Sequence, residues 1–354
     1  MAPRSVGPAD AGAAPDATHI QRDLVAIGAS AGGVEAVGQL VAKLPPELPA
    51  SVLVVVHMLP TGRSMLPQIL ERAGVLPATS ARHSDKLTRG HIYVAPPDHH
   101  MLVMDGRLRL SHGPRENGHR PALDPLFRSV ARAYGQRAIG VVLSGTLDDG
   151  TAGLNMIRER GGATIAQDPS DALYAGMPQS AIENGAAEHV AQISEMADLV
   201  CRLIDTPVPY EERPPTGEAP APEPALDLAD RTDPRDGEPS GLTCPECGGT
   251  LWEHQEGELV RFKCHVGHAY SPESMQTEQA VALEAALWGA LRSLEERQDL
   301  FRRMSRRSSG SPETVARFER RAAEVENHAE AIRRTIADLG RAPATETDEP
   351  GRAA

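Results

Sequence analysis

Three stretches of this chain place groups able to do acyl-transfer chemistry directly behind runs of apolar residues. In the first, Leu24-Val25-Ala26-Ile27-Gly28-Ala29-Ser30-Ala31-Gly32-Gly33, a buried-strand pattern ends on a serine flanked by small residues, and a helical pattern follows to about Leu44. Small flanks let the backbone turn sharply enough to lift Ser30 off the carboxyl end of the strand, as in the G-x-S-x-G elbow. The second stretch, Val52-Leu53-Val54-Val55-Val56, ends on His57. The third, Ile139-Gly140-Val141-Val142-Leu143, runs into Ser144-Gly145-Thr146-Leu147-Asp148-Asp149-Gly150, a polar loop leading into a helix. A hydroxyl, an imidazole and a carboxylate at three strand ends can act as nucleophile, general base and orienting acid. Free N–H groups of the polar loop can meet a developing oxyanion.

Other chemistries fit these residues less well. A dinucleotide fingerprint wants glycine where Ser30 stands and a carboxylate at the end of the next strand, where His57 stands. A phosphate-binding Walker loop fails because no Gly-Lys-Ser/Thr follows. Taken singly, Ser30 reads equally as a capping residue, His57 as a satisfied strand-end histidine, and Asp148 or Asp149 as a helix cap. Their recurrence at three strand ends favours a site.

The elements that must position these groups alternate between short β-branched runs and helical patterns. Strands are expected at 24–28, 52–57, 91–95, 139–143, 162–166 and 188–191. Helices are expected at 33–44, 64–73, 122–134, 150–160, 176–184 and 193–204. That alternation predicts an α/β fold, a doubly wound and mostly parallel sheet with helices on both faces. Ligands of such sheets gather outside the carboxyl ends of the strands. Met101–Met104 and Arg107–Leu110, joined by Asp105-Gly106, predict a tight β-hairpin appended at one edge.

With these residues assembled, the segment from 23 to about 204 resembles the catalytic domain of the chemotaxis protein-glutamate methylesterases, the CheB type. The resemblance rests on Ile27-Gly28-Ala29-Ser30, Val56-His57-Met58, Tyr93-Val94-Ala95-Pro96-Pro97-Asp98 and Arg120-Pro121-Ala122-Leu123-Asp124-Pro125-Leu126-Phe127-Arg128-Ser129. It continues in family order through Leu143-Ser144-Gly145, Asp148-Asp149-Gly150 and Gly176-Met177-Pro178. It implies Ser30 as nucleophile, His57 as general base, and Asp149 rather than Asp148 as the orienting acid. It also implies a backbone N–H of Thr146 near the oxyanion. Two departures stand out. Ala31 replaces the family's usual threonine after the nucleophile. The stretch before Asp23 is too short for the amino-terminal phospho-acceptor domain that usually controls such enzymes, so control by that route is not expected on this chain.

The chain is 354 residues long with a formal net charge of −13 and 3% aromatics, which argues against a general nucleic-acid binder. No apolar run is long enough to insert in a membrane. Residues 1–20 read as a disordered leader without a signal peptide's apolar core. With only four cysteines, a disulfide framework is not expected and the cytoplasm is the default compartment. Residues 21–205 form the expected catalytic domain, 206–240 a disordered acidic linker, 241–270 a cysteine module, 271–340 a helical hairpin and 341–354 a tail.

In the cysteine module, Cys244-Pro245-Glu246-Cys247 and, 16 residues on, Cys264-His265-Val266-Gly267-His268 have the spacing of a zinc ribbon. Cys244, Cys247 and Cys264 are expected as thiolate ligands with His268 as the fourth. His265 is the rival, but adjacent residues rarely share one tetrahedral ion. Four protein ligands leave no open position, so a structural zinc is expected and catalysis needs no cofactor. A redox dithiol is the alternative, against which the third thiol and nearby histidines count. Across its acidic linker, this module is expected to be independent of Ser30 chemistry. Beyond it, Leu283, Leu287, Ala290, Leu294, Phe301 and Met304 predict one helix. Val315, Phe318, Ala322, Val325, Ala329, Ile332, Ile336 and Leu339 predict a second, antiparallel to it and offering a face for self-association.

The resemblance implies a serine carboxyl-ester hydrolase. Its substrate would be glutamate γ-methyl esters on a methylated chemoreceptor or similar signalling protein, with glutamine deamidation as a side activity. The alternative is a signalling interaction module that binds a partner through its cysteine module and helices.

Overall fold

The computed structural model describes residues 19–209, 234–308 and 311–339. Nearly all of the expected leader, most of the expected linker and the tail from 341 lie outside the described residues. The chain divides into two units, one ending at Met275 and one beginning at Gln276.

The first unit opens with β1 (His19–Ile20), followed by β2 (Leu24–Ala29), α1 (Gly33–Ala42), β3 (Ser51–Val56), α2 (Leu66–Ala73), β4 (Ala78–Ser80) and β5 (Ile92–Val94). A two-stranded excursion, β6 (His100–Met104) and β7 (Arg107–Ser111), precedes α3 (Leu123–Tyr134). Then come β8 (Ala138–Val142), α4 (Thr151–Glu159), β9 (Ala163–Gln167), α5 (Gly176–Glu183), β10 (His189–Ala191), α6 (Ile193–Asp205) and β11 (Val208–Pro209), which pairs with β1.

Seven of these strands form one parallel sheet in the order β10-β9-β8-β2-β3-β5-β4. Every residue of β2 and β3 is buried, as a strand covered on both faces requires. Alternate residues feed two cores. Ile27, Val54 and Val141 pack under α1, α2 and α6, while Ala26, Leu53 and Val55 pack under α3, α4 and α5. The expected doubly wound sheet is present. It also contains β4, which no periodicity announced: it is a three-residue edge strand with two exposed side chains. The β6–β7 hairpin turns at Asp105-Gly106, both at positive φ. The hairpin expected to be appended at one edge forms its own two-stranded sheet against α3, where the Ser129 hydroxyl accepts from the Val103 N–H.

The cysteine module is a four-stranded antiparallel sheet in the order of β12 (Glu238–Thr243), β13 (Thr250–Glu256), β14 (Leu259–Cys264) and β15 (Ala269–Tyr270). The expected hairpin is β13–β14. Strand β12 begins inside the stretch expected to be linker, because Glu-Pro-Ser-Gly carries no apolar alternation and holds its place by pairing with β13.

The second unit holds most of α7 (Pro272–Arg307) and all of α8 (Pro312–Leu339). Arg302 pairs with Glu326 and Arg333 with Glu295, which fixes the two helices antiparallel, and the Phe301 and Phe318 rings stack between them. On α8 the buried residues Phe318, Ala322, Val325 and Ala329 are those expected. On α7 the seam is shifted. Leu291, Gln298 and Ser305 are buried, whereas Leu283, Ala290 and Met304 are exposed. Two polar residues stand in that seam, so an apolar count alone picks the wrong register.

Candidate active site

Strands β2, β3 and β8 are neighbours at the sheet's switch point, where the chain leaves β2 first to one side and later to the other. Ala29 and Val56 are paired across β2 and β3, so Ser30 and His57 each stand one residue beyond the same rung. The turn after β2 is closed by the Gly33 N–H donating to the Ser30 carbonyl at 2.9 Å, and the Ser30 N–H donates to the Ser144 carbonyl at 2.9 Å. Gly32, not Ser30, takes the left-handed conformation (φ 71°). The loop after β8 passes so close that a Cβ on Gly145 would lie 2.9 Å from that of Ser30. Thr146, the next residue, is therefore carried to the mouth of the site, where it is exposed.

The three side chains expected to act together meet. Ser30 Oγ lies 3.1 Å from His57 Nδ1, and His57 Nε2 donates to Asp149 Oδ2 at 2.7 Å. With Nε2–H held by the carboxylate, Nδ1 presents its lone pair to the serine hydroxyl, which is what a general base requires. The His57 side chain is 6% exposed and that of Asp149 2%, while Ser30 is half-buried and open on one side.

Asp149 is held by more than His57. Its Oδ2 accepts from the Leu123 N–H at 2.7 Å and its Oδ1 from the Asp124 N–H at 3.3 Å, the first two amides of α3. A helix N-terminus is a favourable place for a carboxylate. Burial alone would push the Asp149 pKa up. The His57 hydrogen bond and charge, with the Leu123 N–H, outweigh it and hold the carboxyl well below the usual range. Asp148 is different. Its Oδ1 accepts from the Ser271 hydroxyl at 2.8 Å, it does not reach His57, and burial raises its pKa to about 6 against that hydrogen bond.

Two neighbours of the site escaped the sequence reading. His119 stacks on His57 with ring centroids 3.7 Å apart and planes 19° off parallel. Burial, then the adjacent His57, lowers its pKa to about 4, so a neutral ring clamps the plane of His57. Asn117 donates from Nδ2 to Asp149 Oδ1 at 2.9 Å and to Asp124 Oδ2 at 3.2 Å. Both sit on the tight turn Glu116-Asn117-Gly118-His119, whose central residues have φ of 51° and 75°. The signal was present, since Asn-Gly is the preferred centre of such a turn.

The thiol cluster also assembles. One ligand atom from each of Cys244, Cys247, Cys264 and His268 lies within 4.8 Å of the others. His268 Nδ1 is 3.6 Å from the Cys244 sulfur and 3.5 Å from that of Cys264, and the Cys247 and Cys264 sulfurs are 3.6 Å apart. A tetrahedron with zinc–sulfur bonds of about 2.3 Å has edges of about 3.8 Å, so the donor set fits that ion. His268 Nε2 meets Glu246 at 3.2 Å, the outer-shell carboxylate that metal-binding imidazoles usually have. The rival His265 is exposed and outside the cluster.

This module, expected to be independent of Ser30 chemistry, is docked beside the Ser30 site. Asn117 N–H donates to the Ala269 carbonyl at 2.8 Å, and Ala269 N–H to the Arg115 carbonyl at 3.3 Å. Arg261, 3% exposed, pairs with Asp124 at 3.0 Å and with Glu116 at 3.4 Å, and Glu116 also holds Arg128. Linker length said nothing about docking, because the contacts are buried charges that carry no periodic signature.

Comparison with known proteins agrees with this geometry. Residues 25–200 match the family model described as CheB methylesterase. A protein-glutamate methylesterase/protein-glutamine glutaminase of Symbiobacterium thermophilum is 41% identical over 187 residues, covering 52% of each chain. One from Methanosarcina mazei is 37% identical over 191 residues, again covering 52% of each. The chain thus spans about half the length of the curated relatives it matches. The crystal structure of the Thermotoga maritima CheB methylesterase catalytic domain superposes with a TM-score of 0.50 at 30% identity, over 52% of this chain and 100% of that one. A matching family model, a fully covered catalytic domain and a serine, histidine and aspartate in line place the chain in the CheB methylesterase family.

Proposed function

We propose that the protein hydrolyses glutamate γ-methyl esters on a chemoreceptor-like signalling protein, releasing methanol, with deamidation of glutamine as a second activity of the same site. The observation that carries this reading is the line Ser30 Oγ, His57 Nδ1, His57 Nε2, Asp149 Oδ2, at 3.1 and 2.7 Å. Ser30 attacks the ester carbonyl while His57 takes its proton and passes it to the leaving methoxide oxygen. Water then attacks the acyl-serine, His57 again accepting the proton and returning it to Ser30. Asp149 keeps the imidazole in the tautomer that faces Ser30 and stabilises the imidazolium. The Thr146 N–H is the proposed donor to the oxyanion. Leu173 and Tyr174 are exposed beside the site: a Cβ on Gly32 would touch Leu173, and the Tyr174 carbonyl accepts from the Gly145 N–H. Apolar side chains at the mouth suit a protein surface as substrate.

The proposed division of labour assigns hydrolysis to residues 21–205, metal binding to 241–270 through Cys244, Cys247, Cys264 and His268, and partner contact or self-association to the helices of 271–340. Zinc in the thiol site would act through folding and not as a catalyst, since four protein ligands leave it no open position. No helix among the described residues is long and apolar enough to cross a membrane, and the proposed site of action is the cytoplasm. The test is methanol release from methylated receptor membranes. Wild type should release it and Ser30→Ala should not; equal release by both would end the reading.

A further inference from the structure

Asn117 uses all four hydrogen-bonding positions of its amide. Nδ2 donates to the carboxylates of Asp149 and Asp124. Oδ1 accepts from the Ser271 N–H at 3.1 Å and from the Ser274 hydroxyl at 3.0 Å. The amide cannot be turned round, because its neighbours on one side are acceptors only and the backbone N–H on the other is a donor only. Asn117 is 3% exposed and Ser274 fully buried, so water does not substitute for these partners.

Ser271 is the cap of α7, its hydroxyl accepting from the Ser274 N–H at 3.0 Å while it donates to Asp148 at 2.8 Å. The two carboxylates of the loop between β8 and α4 therefore stand at two further helix N-termini: Asp149 at that of α3, Asp148 at that of α7. The second helix begins directly after the last strand of the cysteine module, and β15 lies along residues 115–117 through a short backbone ladder.

We propose that the Ala269–Ser274 segment is a positioning strap for the acid of the triad, acting through Asn117, so that the cysteine module is a working part of the esterase and not an appendage. The Ser271 backbone N–H and the Ser274 hydroxyl fix the Asn117 amide, the amide fixes Asp149 Oδ1, and the other oxygen of Asp149 is then held at the distance that orients His57. In a water-excluded network a hydrogen bond is strong and a missing partner is costly, so loosening at Ser274 is transmitted rather than absorbed. The inference rests on the Ser30 chemistry proposed above.

The test uses the full chain with Ser271→Ala and Ser274→Ala combined, each alone, and Ser274→Thr, which keeps the hydroxyl that Asn117 accepts from. Thermal unfolding of each variant is followed alongside, and Ser274→Ala alone serves if the double variant does not fold. Two rates are read: kcat and KM on a small activated ester, and covalent labelling of Ser30 by a fluorophosphonate, which needs no receptor. The double variant should lose about tenfold or more in kcat and in labelling rate, with KM within about twofold. Ser274→Thr should recover most of the loss that Ser274→Ala causes. In an Asp149→Asn background Ser274→Ala should cost nothing further, since its hydroxyl reaches the triad only through Asn117 and that carboxylate. A loss that persists undiminished in that background, a loss confined to KM, or unchanged labelling would overturn the strap. Failure of wild type to demethylate receptors while Ser30 still labels would end the substrate reading and leave the strap standing on its own result.

Discussion

The two sides of the triad are built in different ways. The Ser30–His57 side comes from adjacent strands: both residues stand one step beyond the Ala29–Val56 rung, and the sheet register alone brings them together. The far side of Asp149 is assembled from α3 and the Asn117 turn, and behind Asn117 stands Ser271, 154 residues further along the chain. The first arrangement is a property of the fold. The second has a separate module docked behind it, which the proposed strap makes the more vulnerable half.

The largest expected effects belong to the near side. Ser30→Ala or His57→Ala should lower hydrolysis of a small ester by about 10³-fold or more while the thermal unfolding midpoint stays close to wild type. Asp149→Asn should also cost about 10³-fold, and Asp148→Asn far less, since Asp148 faces Ser271 and does not reach His57. If steady-state kinetics gave the reverse order, the acid would move by one position.

Effects on the far side should be smaller but reach across modules. The purified protein should carry about one zinc per chain by elemental analysis, and stripping it should unfold the ribbon. Because β15 and Ser271 lie against the Asn117 turn, esterase activity should fall by about tenfold with the metal. Full activity in metal-stripped protein with a disordered ribbon would make the two sides independent after all. Arg261→Met removes the cation that faces Asp124 and Glu116 in a buried site and should cost about 3–5 kcal/mol in denaturant unfolding. A cost below about 1 kcal/mol would mean that the docked interface contributes little.

The smallest effect concerns pH. Burial raises the Asp148 pKa from 3.8 to about 6, so the folded state holds this proton more tightly than the unfolded chain. The stability contributed by the neutral carboxyl is therefore full below about pH 4 and is lost as pH rises through about 6. Asp148→Asn should remove that decline, worth at most about 3 kcal/mol. Calorimetry from pH 4 to 7 should show the variant gaining on wild type as pH rises; parallel curves would contradict the placement of Asp148. Asp149, whose pKa is lowered, acts in the opposite sense and favours the fold above the ordinary carboxylate range.

This contrast also separates what the sequence revealed from what it hid. Ser30, His57 and the Asp148-Asp149 pair were legible because each ends or follows a strand-like run, and the loops beyond the strand ends of a doubly wound sheet converge. The cysteine spacing was legible because a metal site needs close ligands in fixed order, and His268 rather than His265 stands in the cluster. The docking of that module was not legible. Glu116, Asp124 and Arg261 are charged residues that composition assigns to a solvated surface, yet all three are buried against one another across more than a hundred residues. Asn117 and His119 were marked only by an Asn-Gly pair, which announces a turn but not what the turn supports. On α7, Gln298 and Ser305 in the seam concealed the true register in the same way.

The central claim, that Ser30 is the nucleophile activated through His57, is tested most directly by locating the adduct that a fluorophosphonate leaves on the full-length protein. Peptide mapping by mass spectrometry should find one modified residue, Ser30, with hydrolysis lost in proportion to labelling and labelling abolished in His57→Ala. An adduct at another serine, or continued hydrolysis in a chain fully modified at Ser30, would contradict the account.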